Sequence, residues 1–202
     1  MKYVSALMLL AVLIARANAG SDDGRESKFV GIGMADKSGT AIGLRFIPPH
    51  EDDWHIDNTG LSATLKNKAS SDSSSSEIEA YLIKLDTPIL PIANYIETIK
   101  RNTLEGYARS QYWKISALEV SEDPNDMRCA RVHLLLEAVG KPQAQVQPRK
   151  WSEQYVLSCG LLKHKGLGFE VRYYHRYLDS NKDAQFENKA RSMLASAVLE
   201  DD

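Results

Sequence analysis

The run WSEQYVLSCGLLKHKGLGFEVRYYHRYLDSNKDAQFENKARSMLASAVLE, from Trp151 to Glu200, decides the fold. Its first part predicts two strands, Trp151 to Leu162 and Phe169 to Leu178, joined at His164-Lys165-Gly166-Leu167-Gly168. Its last part places Phe186, Ala190, Met193, Leu194, Ala197 and Val198 at helical spacing. That stripe predicts a closing helix from about Lys182 to Leu199, capped at Ser180 or Asn181. Strand, tight turn, strand and amphipathic helix together point to helices packed on an antiparallel sheet.

The two cysteines fix how the preceding segment joins. Met127 to Ala138 reads as another strand, with Ala130, Val132, Leu134 and Leu136 on its most apolar face. Gly140 to Arg149, with two prolines, is a long loop. If that loop closes a hairpin centred near Ala144, Cys129 and Cys159 stand opposite each other, equidistant from the centre. Opposed residues of an antiparallel pair lie about 4.5–5.5 Å apart at Cα, a span a disulfide bridges. The spacing therefore predicts a Cys129–Cys159 disulfide across two paired strands.

Upstream, Tyr112 to Val120 is a strand turned by SEDPND. Pro88 and Pro91 open a helix running to about Tyr107, with Ile92, Tyr95, Ile96, Ile99, Thr103 and Tyr107 on one face. Gly106 is its expected terminator. A strand pair precedes it: Ile56, Leu61, Ala63 and Leu65 alternate inward, Ala69 to Ser76 is a solvated hairpin loop, and the return strand points Ile78, Ala80, Leu82 and Leu85 inward. Phe29 to Met34 and Thr40 to Ile47 form an opening hairpin around a Lys-Ser-Gly turn, stopped by Pro48-Pro49. The expected fold is α+β: a mostly antiparallel sheet with flanking helices, in a single domain spanning 29–202.

The amino terminus predicts an address. Lys2, the apolar run Tyr3 to Ala15 and the small-x-small site Ala17-Asn18-Ala19 form a signal peptide over 1–19, cleaved after Ala19. Residues 20–28 are a polar leader. The apolar run is shorter than the roughly 20 residues a membrane span needs, so the expected product has no stable span after cleavage and is periplasmic or secreted. Two cysteines in an exported chain fit one disulfide. Cleavage removes Lys2 and Arg16 and no acid, so the net charge falls from −2 to −4. That balance argues against a nucleic-acid partner. The absence of any Asn-x-Ser/Thr sequon fits a bacterial source.

Catalytic and cofactor motifs do not form. Gly31-Ile32-Gly33 lacks the rest of a dinucleotide fingerprint, and there is no G-x-S-x-G, H-E-x-x-H or C-x-x-C. Cys129 and His133, four residues apart on a strand, are separated by about 13 Å and do not share one ion. The five histidines show no ligand spacing and read as solvated or hydrogen-bonded surface residues. No cofactor and no metal are expected. RYYHRY is the most unusual segment: alternation puts Arg172, Tyr174 and Arg176 on one face, and Tyr173, His175 and Tyr177 on the other. The first face suits an anionic or glycan-like ligand, through forked arginine donors and a tyrosine stacking ring. The favoured reading is an ordinary strand whose arginines are solvated or pair with acids and whose tyrosines edge the core, since aromatics are common in strands.

The order of elements resembles the PsbP-like family, which includes exported bacterial proteins of the DcrB type. The likeness lies in the early strand pairs, the helix PIANYIETIKRN, the later strands and the closing FENKARSMLASAV. It implies an α/β/α sandwich and a binding or assembly role in or beyond the inner membrane, and it carries over no functional residue. Taken together, the sequence predicts an exported, non-enzymatic domain binding a partner protein or cell-envelope component. Two alternatives stay open: a hydrolase with an unrecognised site, and a toxin-immunity-type inhibitor.

Overall fold

A computed structural model describes residues 29–35, 41–139 and 149–201. The expected signal and leader, the Lys-Ser-Gly turn and all but Arg149 of the Gly140–Arg149 loop lie outside those residues.

The chain opens with β1 (Val30–Ala35) and β2 (Ala41–Phe46), an antiparallel pair with Val30 opposite Phe46. Between Trp54 and Asp86 the sequence predicted two strands, and the chain forms three: β3 (Trp54–Asn58), β4 (Ser62–Asn67) and β5 (Ser74–Lys84). The break is a tight turn. Gly60 takes a positive φ of 87°, its N–H donates to Asn58 Oδ1, and Thr59 N–H donates to Ser62 O. Leu61 therefore sits in a turn and Ile56 on an edge strand, and both are exposed rather than inward. The serine run also divides, because Ser74 to Ser76 pair with Tyr177 to His175 instead of looping.

Helix α1 (Ile92–Ala108) starts immediately after Pro91, whose missing N–H has no partner to lose there. Its apolar face is the expected one, but it runs through Gly106, which is exposed and does not end it. There follow β6 (Trp113–Glu122), β7 (Cys129–Ala138), β8 (Lys150–Gly160) and β9 (Leu167–Leu178), a continuous antiparallel meander. The β7–β8 register sets Cys129 opposite Cys159, with their sulfurs bonded. Gly166, at φ 84°, turns β8 into β9. At Gly168 a Cβ would stand 2.2 Å from Cys159 O, so the strands pass too close there for a side chain.

The end of the chain differs from expectation. A short 3-10 turn at Asp179–Asn181 precedes α2 (Phe186–Ala195), which is shorter at both ends than its apolar spacing suggested. Neither Ser180 nor Asn181 caps it; Asp183 does the work, its Oδ1 accepting Gln185 N–H and its carbonyl accepting Phe186 N–H. At the other end Ser196 leaves the helix, and Val198–Asp201 becomes β10, paired with the open edge of β2. The β2 edge supplies hydrogen-bond partners that a longer helix would leave unmet. Val198 is accordingly exposed, not part of a helical stripe.

Among the described residues two sheets result, β1-β2-β10 and β3-β4-β5-β9-β8-β7-β6. The main core lies between the seven-stranded sheet and a layer made of the small sheet with α2. Phe46, Leu65, Ile78, Phe169, Val171, Tyr173, Phe186 and Met193 fill it. On the opposite face α1 covers only the β6–β7–β8 side, where Val132, Leu134, Leu136 and Val156 meet Ile99 and Tyr107. Tyr95, also on α1, bonds through its hydroxyl to Ser158 Oγ at 2.8 Å. The fold is an α+β sandwich of helix, sheet, and sheet plus helix.

Candidate functional site

Three places in this frame concentrate polar chemistry. The first is the half of the α1-side face that α1 leaves uncovered. Alternation along β9 puts Arg172, Tyr174 and Arg176 there together, opposite Glu79, Glu77 and Ser75 of β5. Arg172 Nη2 donates to Glu170 Oε1 at 2.6 Å and to the Tyr81 hydroxyl at 3.1 Å, while its Nε is buried without a partner. Burial and the Glu170 carboxylate push the Tyr81 phenol above its ordinary pKa. Tyr174 is only 6% exposed, because the Arg176 guanidinium lies 4.7 Å over its ring. Its ring is thus stacked beneath Arg176 rather than open to solvent. Of the three, Arg176 alone is exposed.

The second place is a buried cluster on the opposite face of the same strands. Contrary to the expectation of surface histidines, His175 is 2% exposed. Its ring stacks on Tyr177 and tilts against Phe186. Asp183 N–H donates to His175 Nε2 at 3.3 Å. That leaves Nδ1 as the protonated nitrogen, donating to Ser76 Oγ at 2.9 Å. A hydrolytic base must present a lone pair to the hydroxyl it activates. Here the proton already points at Ser76, so the pair is a structural bond. Beside it Glu153, 4% exposed, receives His133 Nε2 at 3.1 Å, and Lys182 Nζ stands 3.1 Å from its other oxygen. Burial raises the Glu153 pKa, but the bonds and charges of His133 and Lys182 outweigh it and hold the carboxyl below its ordinary value.

Burial likewise pulls His175 below 6.5, against the opposing pull of Asp183 and Glu153. A depressed histidine takes up its proton first in the unfolded chain, so stability rises with pH just below 6.5 and is complete above it. Urea unfolding followed from pH 7.5 to pH 5 is expected to lose at most about 1.4 kcal/mol per pH unit through this one proton. His175→Asn should flatten that slope while lowering stability at pH 7.5. Asp126, Asp183 and Glu153 are all lowered from 3.8 or 4.5, so their loss falls at more acid pH and does not overlap. An unchanged slope in the variant would remove His175 as its source.

The third place was not visible in the sequence. The segment Ile47-Pro48-Pro49-His50-Glu51 runs antiparallel to α2 and leaves a groove of about 640 Å³ between them, within the range of ligand-sized clefts. Gln185, Asn188, Ser192 and Ser196 line the helical wall, with Met193 and Ile47 at the base. Ile47 N–H donates to Ser196 Oγ at 2.9 Å, closing one end. At the other end Lys189 Nζ ties the walls together, 3.2 Å from Asp52 Oδ1 and 3.0 Å from Asp183 Oδ2. Tyr173 OH donates to the second oxygen of Asp52 at 3.2 Å. A smaller hollow of about 210 Å³ lies over the disulfide, rimmed by Asp123, Asp126 and Arg128.

Among the described residues no group of three or more His, Cys, Asp or Glu is placed to hold a metal ion, and no helix is long and apolar enough to cross a membrane. No family model matches the chain, and no curated protein matches it. Solved structures do resemble it. The Saccharomyces cerevisiae Ran-binding protein Mog1p aligns at 14% identity over 86% of this chain and 97% of its own, with a TM-score of 0.42. Cyanobacterial PsbP from Synechocystis sp. PCC 6803 aligns at 10% identity over 90% and 98%, with a TM-score of 0.45. A likeness at this level is one of arrangement, and it assigns no residue a role.

Proposed function

We propose that the protein is an exported, non-enzymatic domain that binds a partner protein or a cell-envelope component. The observation that carries this reading is the groove between Ile47–Glu51 and α2. It is open to solvent, and its helical wall of amides and hydroxyls, suited to holding a ligand by hydrogen bonds, faces an apolar wall of Ile47, Pro48 and Pro49. The buried acids and the buried histidine, by contrast, are committed to protein partners: Glu153 to His133 and Lys182, Asp123 to Arg131, His175 to Ser76 and Asp183. Export would place the Cys129–Cys159 bond in an oxidising compartment, where disulfides persist.

Photo-crosslinking in cells of the source organism tests the reading. A benzophenone side chain replacing Asn188, in the groove, is expected to capture one or a few specific envelope partners. The same group at Glu105, exposed on α1 across the seven-stranded sheet, should not. Protein recovered only from the cytoplasm would overturn export. Absence of any specific groove crosslink would overturn partner binding at this site.

A further inference from the structure

The occupant of the groove can be narrowed from its electrostatics, granted that the groove is the partner-binding site. At the end where Lys189 lines it, two carboxylates just behind the lining, Asp52 and Asp183, share that one cation, which leaves a negative charge uncompensated. A third carboxylate, Glu51, stands on the rim with its side chain 53% exposed, facing only His50 at 3.3 Å. At the other end the groove closes at Ser196, beside the C-terminus of α2. That terminus carries the negative end of the helix dipole, and no basic residue lies in the last turn to offset it. Negative features thus stand at both ends of the cleft, while Ile47 and Met193 leave its base apolar.

The walls add shape to that charge. Pro48 offers half-exposed ring carbons over the buried Pro49, and neither, lacking an N–H, supplies a donor. Such a surface suits the methylene stem of a long side chain whose charged end reaches toward Glu51. Across from it Gln185, Asn188 and Ser192 repeat along one helix face and both donate and accept, as a peptide backbone requires. From Gln185 to Ser196 α2 extends about 16 Å, the reach of about five fully extended residues. We propose that the groove takes an extended segment of a partner protein bearing lysine or arginine.

Fluorescence anisotropy with the labelled peptides Gly-Lys-Ser-Lys-Gly and Gly-Glu-Ser-Glu-Gly tests this on the full mature chain. The basic peptide is expected to bind at least tenfold more tightly, with affinity falling as salt rises. Glu51→Lys, at an exposed rim position, should weaken it at least fivefold. Ser192→Trp should abolish it by filling the cleft. Glu79→Lys, on the opposite face of the sheet, should leave it unchanged. Equal affinities for the two peptides would overturn the proposal. So would a Glu79→Lys effect matching that of Glu51→Lys, or binding that survives Ser192→Trp. A partner crosslinked from Asn188 through a segment without lysine or arginine overturns this assignment and leaves partner binding standing. Failure of every groove crosslink removes both.

Discussion

Replacing Cys129 and Cys159 together with alanine is expected to cost the fold about 3.6 kcal/mol. The bond closes a loop of 30 residues, and the chain-entropy treatment gives about that value for such a loop. Against total stabilities of about 5–15 kcal/mol, this is the difference between a robust domain and a marginal one. The two cysteines are 2% and 0% exposed and pack with Leu157, Leu161 and Phe169, so alanine also removes buried sulfur. Urea titration of the oxidised protein, the reduced protein and the double variant measures the effect. The reduced protein and the double variant should both fall below the oxidised form, the variant further by the buried sulfur it lacks. In thermal melts the same loss corresponds to roughly 2–4 °C per kcal/mol for a domain of this size. A difference below about 1 kcal/mol would show that the hairpin holds its register without the bond and that loop closure contributes little here.

That hairpin was legible because its information is local. The loop between the strands has an identifiable centre, and register follows from counting outward from it. The faces of β9 were legible for the same reason, since alternation alone separates Arg172, Tyr174 and Arg176 from Tyr173, His175 and Tyr177. What failed depended on neighbours far away in sequence. The apolar spacing that carried the closing helix to Leu199 is genuine, but the free edge of β2 competes for the same residues and wins from Val198 onward. The cover over Tyr174 was not legible, because nothing in RYYHRY shows Arg176 folding back over the ring. His175 looked like a surface histidine because its burial needs β5, β8 and the start of α2 at once. The groove was least accessible of all. Its walls lie 149 residues apart at the Ile47–Ser196 bond, and Pro48-Pro49 taken alone signals only the end of a strand.

Phe186→Ala is expected to be among the most damaging single core substitutions, costing roughly 3–5 kcal/mol. Phe186 is the first residue of α2 and 1% exposed. Its ring meets Tyr173 edge-on at 4.8 Å between centroids, and Tyr155 at 5.8 Å, contacts that each add a modest increment beyond area burial. It also covers one side of the His175 ring, at 5.2 Å. Alanine would open a cavity where α2, β8 and β9 converge, and would admit water to a histidine held neutral by its burial. The cost should therefore be smaller at pH 5.5 than at pH 7.5, because a hydrated His175 takes up its proton in the folded state too and the acid penalty carried by the native chain is relieved. Phe186→Leu, which keeps most of the volume, should cost under about 1.5 kcal/mol. Leu104→Ala, at a position 52% exposed on α1, should stay within about 0.5 kcal/mol. Because α2 forms one wall of the groove, Phe186→Ala should also weaken binding of the basic peptide under conditions where the chain is still folded, whereas Leu104→Ala should not. If Phe186→Ala cost no more than Leu104→Ala, α2 would have to be anchored by Ala190, Met193 and Leu194 alone, and the coupling drawn here between the aromatic cluster and the groove would fail.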